Sequence, residues 1–257
     1  MAKKKKITEM KKLSVFSQDE DQINAHIIKC RVLIVCEGAK TEPNYFKSFH
    51  MMKNCGGLVF EITNDGGGIN TTQVVEKAIE LRNKAISNNK PYDVTWAVFD
   101  KDSFDPAKFD NAINMAKSNN IRCAWSNEAF ELWYIYYFEN RTTSMSRTEY
   151  QKKITTLVRQ KLKEKKSKNT NFVYTKNNPK MRAILIECGC DEKLAIRMAN
   201  KQNEAFEDKS YHLHNPCTKV YELVKLLRGE DTDFNEEIKM KMNSKTLLSR
   251  LEIFRSE

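Results

Sequence analysis

The sequence predicts an α/β protein: a four-stranded parallel sheet flanked by helices, followed by a mainly helical C-terminal part. Between residues 31 and about 126, short apolar runs rich in branched residues alternate with segments of helical periodicity. Such runs are typical of strands buried on both faces of a parallel sheet. After residue 127 only helical patterns and loops follow. The alternation indicates right-handed strand–helix–strand crossovers, and therefore a Rossmann-like sheet.

The predicted strands cover residues 32–36, 58–62, 94–99 and 121–125. The first and third are continuous apolar runs, whereas the second alternates between apolar and polar residues. Turn and loop residues lie between them, including Asp65 followed by three glycines. We interpret that loop as a plain turn, because it lacks the lysine of a phosphate-binding Walker loop.

Helices are predicted from start and stop signals. The first covers residues 41–53, with Pro43 as its start and the glycines at 56–57 as its end. The second is capped at residues 70–72 and the third by Asp105. The fourth is capped at residues 126–127, where Asn127 is a cap residue. Later helical patches cover residues 154–162, 181–186 and 194–199. A helix is predicted to start at Asn215-Pro216 and stop at Gly229, and a last one covers residues 247–253.

The predicted organisation is a basic tail over residues 1–25, an α/β domain over 26–140 and a helical region over 141–257. With 40% hydrophobic and 30% charged residues, the composition is that of a soluble globular protein, and no apolar run could span a membrane. The lysine run at residues 3–6 has no apolar segment behind it, so we expect no secretory signal. The seven cysteines include no C-x-x-C pair, which predicts free thiols in the cytoplasm.

Positive charge is concentrated in one segment. The chain carries a net charge of +10, and residues 151–182 alone contain eleven Lys/Arg and one acid, Glu164. A segment of this kind suits a nucleic-acid backbone or an acidic partner, and a solvated helix face is the alternative. The predicted nucleic-acid-binding residues are Lys152, Lys153, Arg159, Lys161, Lys163, Lys165, Lys166 and Lys168.

Acidic residues follow two of the predicted strands. Glu37 ends the first strand, and Asp100 and Asp102 end the third. Parallel strands end at the same edge of a sheet, so these carboxylates converge if the two strands are close together. Three carboxylates in a small volume would not all stay ionised without a cation, and their hard oxygens suit Mg²⁺ or Mn²⁺. The alternative is a set of exposed loop acids that cap helices.

These motifs resemble a known family. The E-G after strand one and the D-x-D after strand three look like a Toprim domain. More narrowly, I-V-C-E-G-A-K-T-E-P-N-Y-F at 34–46, V-F-D-K-D at 98–102, S-N-E-A-F-E-L-W at 126–133 and N-P-C-T at 215–218 resemble RloB-family proteins. One departure is Glu128-Ala129, where family members often carry Pro-Cys or a similar pair.

The resemblance implies a metal-binding triad of Glu37, Asp100 and Asp102, with Glu37 as general acid/base. It also implies a Toprim-type endonuclease of bacterial antiviral defence by abortive infection, paired with an AAA- or ABC-type ATPase. Within the Toprim class, the length disfavours a topoisomerase and the cysteines disfavour a zinc-containing primase. Hydrolysis of DNA or RNA, tRNA included, then remains. A non-catalytic nucleic-acid-binding effector subunit and a haloacid-dehalogenase-type phosphatase are the alternatives.

Further residues are predicted to support the site, each with a structural alternative. Glu42 could instead be an acid stabilised by a helix N-terminus, and Lys40 a solvated side chain. Trp133 and Tyr134 are interpreted as core, and the His212–His214 segment as surface rather than as a metal site. The predicted supporting residues are Gly38, Lys40, Thr41, Glu42, Asn127 and Glu131.

Overall fold

The computed structural model describes residues 28–51, 58–102, 105–167, 170–206 and 208–256. Its single sheet has the strand order β2-β1-β3-β4-β5. The strands are β1 (Ile28–Cys36), β2 (Leu58–Gly66), β3 (Val94–Asp100), β4 (Arg122–Asn127) and β5 (Cys217–Thr218). The first four are parallel, as predicted, and β5 pairs antiparallel with β4. The α/β class is therefore confirmed, but the sheet is mixed rather than wholly parallel.

Helices cover both faces of this sheet, and the C-terminal helices extend the packing on one of them. They are α1 (Thr41–Lys47), α2 (Thr71–Ser87), α3 (Pro106–Ser118), α4 (Glu131–Ile135), α5 (Arg147–Glu164), α6 (Met181–Glu187), α7 (Glu192–Glu204), α8 (Val220–Leu227) and α9 (Thr232–Ser256). Short 3-10 turns cover Ser48–Met51 and Tyr211–Leu213. Two predicted caps are confirmed: Asn70 forms a capping box with Gln73, and Asp105 accepts a hydrogen bond from the amide of Ala107.

Two predicted helix starts were wrong, and the start signal of a third lies two residues inside its helix. Helix α1 begins at Thr41, two residues before Pro43, and gives way to a 3-10 turn after Lys47; the glycines predicted to end it lie outside the described residues. Asn127 is the last residue of β4 rather than a cap, and α4 begins only at Glu131. Asn215-Pro216 leads into β5 rather than a helix, because the residues after it pair with the end of β4.

Both faces of the sheet are covered by apolar side chains. On one face, Leu33 and Val35 pack with residues of α2 and α3. On the other, Val32 and Ile34 belong to a cluster that extends through the C-terminal helices to Ile238. Alternate residues of β1 point to opposite faces, so a strand buried on both sides reads as an unbroken apolar run.

The helical C-terminal region shares its core with the sheet. Trp133 and Tyr134 lie in the same cluster and are 0% and 1% exposed, which confirms their interpretation as core residues. The division into domains near residue 140 stays a prediction. None of the described helices is both long enough and apolar enough to cross a membrane.

Candidate functional site

A cavity of about 440 Å³ lies at the carboxyl ends of β1 and β3. These strands are parallel neighbours in the sheet, and the amide of Glu37 donates to the carbonyl of Val98 at 2.9 Å. The pairing brings both acidic strand ends to one edge, as the sequence predicts. The lining includes Glu37, Gly38, Lys40, Thr41, Glu42, Asp100 and Asp102, together with Arg147 and Lys176 from the C-terminal region.

Glu37 and Asp100 are joined directly. The backbone amide of Asp100 donates to Oε2 of Glu37 at 2.9 Å. Burial raises the pKa of Glu37 to about 7; the bond from the Asp100 amide opposes this rise, and the nearby charge of Glu42 adds to it. The carboxyl group of Glu37 is therefore fixed at the sheet edge beside the last residue of β3.

Asp100 and Asp102 share a positive partner. Arg147 Nη2 lies 3.3 Å from Asp100 Oδ2, and Arg147 Nη1 lies 3.1 Å from Asp102 Oδ2. Burial raises the pKa of Asp100 well above its usual range, and the charges of Glu42 and Glu131 raise it further, whereas Arg147 lowers it. Burial lowers the pKa of Arg147, but the two aspartates outweigh that effect and raise it above its ordinary value.

Glu42 and Glu131 extend the acidic cluster into the interior. Both are buried, at 6% and 2% exposure. Burial raises the pKa of Glu42, its own backbone amide opposes the rise, and the charge of Glu131 adds to it. A Cβ atom on Gly38 would overlap the Glu42 carboxylate, so a larger residue at this position would have to displace that buried group. Glu131 accepts a hydrogen bond from the hydroxyl of Tyr174 at 3.1 Å, behind the cavity wall.

A loop of the C-terminal region closes one side of the cavity. Thr41 Oγ1 donates to the carbonyl of Lys176 at 3.0 Å, and Asn44 Nδ2 donates to the carbonyl of Asn177 at 3.3 Å. These bonds fix the loop against α1 and bring Lys176 into the lining. Lys40, from the loop after β1, is exposed at the rim.

A family model described as RloB-like protein matches residues 32–227. The match covers well over half of the chain. The chain belongs to the RloB-like family. Curated proteins and solved structures give no match. The matched range contains every residue that lines the cavity at the ends of β1 and β3, including those contributed by the C-terminal region.

Not every predicted site residue of this RloB-like protein lies in the cavity. Asn127 is buried, and its Nδ2 donates to the carbonyl of His212 at 3.0 Å, away from the lining. Glu131 lies behind the cavity wall. The interpretation of the His212–His214 segment as surface was wrong for His214, which is buried with its Nε2 2.8 Å from the carbonyl of Lys209. Nδ1 of His212 is 2.7 Å from Asp110 Oδ2.

The predicted basic residues differ in their contacts and in their exposure. Four make local contacts: Lys153 with Glu139 at 3.0 Å, Lys161 with Glu164 at 2.8 Å, Arg159 with the Phe172 carbonyl at 2.7 Å, and Lys165 with the Glu187 carbonyl at 2.8 Å. Five are exposed, on or just after α5: Lys152, Lys163 and Lys166, together with Arg159 and Lys165; Lys168 lies outside the described residues. The exposed group is therefore the part of the segment best placed to contact a polyanion.

Sequence reasoning missed Arg147, Tyr174 and Lys176. A local signal for Arg147 was present, because Ser146 and Glu149 form a capping box that makes Arg147 the first residue of α5. That signal predicts the helix start but not the cavity that the arginine enters. The positions of Tyr174 and Lys176 depend on the packing of their loop against α1, for which the sequence has no local pattern.

The donor set of the cavity fits a hard divalent cation. Glu37, Asp100 and Asp102 offer carboxylate oxygens, which Mg²⁺ and Mn²⁺ prefer. In the arrangement described, Arg147 supplies the positive charge between the two aspartates. Among the described residues, no three His, Cys, Asp or Glu side chains are gathered at ligand spacing. Side-chain movement around Arg147 is therefore needed for the three carboxylates to meet at one ion.

Proposed function

We propose that this RloB-like protein is a metal-dependent nuclease that hydrolyses phosphodiester bonds of DNA or RNA. One observation carries the proposal: Glu37, Asp100 and Asp102 line one cavity at the carboxyl edge of a parallel sheet, with Glu37 bonded to the Asp100 amide. The edge position and the E-G and D-x-D motifs are those expected of a Toprim-type site. Membership of the RloB-like family supports the same assignment.

Each group in the cavity has a chemical task in this proposal. Glu37, Asp100 and Asp102 would hold Mg²⁺ or Mn²⁺, which supplies charge for phosphate oxygens and acidifies water when bound. Glu37 would handle the proton, as the family resemblance implies. Lys40 and Lys176 place two further positive charges at the rim, where they can contact phosphates.

The helical region would hold the nucleic acid. The exposed lysines Lys152 and Lys163 lie on α5, and the first residue of that helix, Arg147, reaches the cavity. The same helix therefore connects the exposed basic surface with the acidic cluster. A role in antiviral defence, in the cytoplasm and under the control of an ATPase partner, is supported by the family resemblance.

A non-catalytic nucleic-acid-binding effector subunit is the second candidate. The observation in its favour is that Arg147 already pairs with both Asp100 and Asp102. In that case the cavity would bind a phosphate or a nucleotide without cleaving it, and the helices would dock on the partner.

A cleavage assay separates the two candidates. The purified chain, alone and with an adjacently encoded ATPase, is incubated with duplex DNA, single-stranded DNA, tRNA and other RNA in MgCl₂ or MnCl₂. We expect cleavage of at least one substrate and a loss of about 100-fold or more in Asp100→Asn. Asp93→Asn is the matched control, since Asp93 precedes the same strand at the opposite edge of the sheet.

The control should keep wild-type activity. Binding without cleavage of any substrate in either metal, with and without the ATPase, would exclude the nuclease and favour the effector subunit. Equal loss of activity in Asp93→Asn would show that the assay reports stability rather than the chemistry of the cavity.

A further inference from the structure

Arg147 contacts two of the carboxylate oxygens that are available to a divalent cation. Its two terminal nitrogens bridge the aspartates, at 3.3 Å from Asp100 Oδ2 and 3.1 Å from Asp102 Oδ2. Magnesium and manganese bind carboxylate oxygens at about 2.0–2.2 Å, closer than either contact of Arg147. A cation on these carboxylates would therefore repel the guanidinium and compete with it for Oδ2 of each aspartate.

The guanidinium of Arg147 is held less firmly than a structural arginine of the same chain. Strong charge-assisted hydrogen bonds are about 2.7–2.9 Å long. Both contacts of Arg147 are longer, its side chain is 30% exposed, and its buried Nε has no acceptor among the described residues. Arg182, by contrast, donates twice to Glu192 at 2.8 Å, and its side chain is 8% exposed.

We infer that Arg147 competes with the divalent cation for Asp100 and Asp102, and that cation binding releases its guanidinium toward a phosphate of the nucleic acid. The inference rests on the proposed nuclease function, because it requires these carboxylates to bind a cation. Without the cation, Arg147 neutralises the aspartates. With the cation bound, the same side chain becomes a substrate contact.

The backbone at Arg147 keeps the released side chain in the cavity. The capping box of Ser146 and Glu149 fixes the first turn of α5, so only the side chain has to move. Lys40 and Lys176 lie in the same lining, and a freed guanidinium would join them. Its planar set of donors matches phosphate oxygens better than an ammonium group does.

Cation binding to the full chain tests the competition. Titration calorimetry with MnCl₂ is carried out on wild type, Arg147→Gln and Arg147→Lys, with circular dichroism to check folding. We expect Arg147→Gln to bind Mn²⁺ about tenfold more tightly, and Arg147→Lys to fall between the two. Arg122→Gln is the matched control, because Arg122 pairs with Asp231 at 2.7 Å and begins β4 at the opposite edge; its Mn²⁺ affinity should stay within about twofold of wild type.

Oligonucleotide binding tests the release. The anisotropy of a fluorescein-labelled phosphorothioate oligonucleotide, which resists cleavage, is measured in MnCl₂ and in EDTA. We expect Arg147→Gln to weaken binding about tenfold in MnCl₂ and by a smaller factor in EDTA, where the aspartates hold the arginine. An equal or smaller loss in MnCl₂ overturns the release of the guanidinium.

The outcomes separate the inference from the function on which it rests. Equal Mn²⁺ affinity in wild type and Arg147→Gln overturns the competition and leaves the proposed nuclease standing. Absence of Mn²⁺ binding in both proteins overturns the metal site of the proposed function, and the inference with it. Tighter Mn²⁺ binding in Arg147→Gln than in wild type, with Arg122→Gln unchanged, supports both the competition and the metal site of the proposed function.

Discussion

Replacing Glu192 by glutamine should cost about 3 kcal/mol of the free energy of unfolding. Glu192 is 5% exposed in the first turn of α7. Its carboxylate accepts two bonds from Arg182 at 2.8 Å and one from Arg228 at 2.6 Å, and the hydroxyls of Tyr45 and Tyr137 also donate to it. Because Tyr45 lies on α1, this buried network ties the C-terminal helices to the helix that carries part of the cavity wall.

The magnitude follows from the pKa of Glu192. Burial raises that pKa, but the bonds and charge of Arg182, with Arg228, outweigh burial and lower it to about 2. Against an ordinary glutamate value of about 4.3, this difference corresponds to about 3 kcal/mol. Removing one partner of a buried ion pair typically costs about 3–5 kcal/mol, which agrees. Since the folded-state pKa is the lower one, the stabilisation is complete above about pH 5 and is lost as the pH falls toward 2.

Urea unfolding followed by far-UV circular dichroism measures this effect. At pH 7, Glu192→Gln should unfold with about 3 kcal/mol less free energy than wild type, and about half of that difference should remain at pH 3. Glu230→Gln is the matched control: it removes a 33% exposed partner of Arg228 and should cost less than about 1 kcal/mol. A cost below 1 kcal/mol for Glu192→Gln, or a cost that does not change with pH, would show that the ionised carboxylate of Glu192 does not stabilise the fold in this way.

Three more substitutions probe the surroundings of the cavity. Gly38→Ala presses a methyl group against Glu42 and should cost about 1–3 kcal/mol, seen as a lower melting temperature; an unchanged melt would contradict the close approach. Tyr174→Phe removes the hydroxyl that donates to buried Glu131 and should cost about 1–3 kcal/mol in urea unfolding; an unchanged free energy of unfolding would show that this bond does not stabilise the fold. Lys152→Gln should reduce the slope of log K against log salt for duplex DNA by about 0.9, and an identical slope excludes Lys152 from the interface.

The carboxylates of the site were predictable because their signals are local. An unbroken apolar run that ends in an acid indicates both a buried parallel strand and the edge at which it ends. Glu37 and Asp100 could be close together only if β1 and β3 were neighbours in the sheet, and the strand order shows that they are. Gly38 could be named from its motif, but its close approach to the Glu42 carboxylate appears only in the packed structure.

The positive side of the site could not be predicted in the same way. Arg147 is 47 residues from Asp100 in the chain, and periodicity does not say which helix end meets which strand end. The prediction of Asn127 as a helix cap was wrong for a related reason. Asparagine favours helix caps, yet here it pairs with Cys217 of β5. In both cases contacts between distant segments outweighed the local preference.

In the proposed function, Glu37, Asp100 and Asp102 bind one divalent cation. The most direct measurement is a crystal structure of the full chain grown with MnCl₂, with data collected to locate manganese by its anomalous scattering. We expect an anomalous peak about 2.2 Å from oxygens of all three carboxylates, with the Arg147 guanidinium moved off the aspartates. A structure at saturating Mn²⁺ with no peak in this cavity, and with Arg147 still on both aspartates, would contradict it.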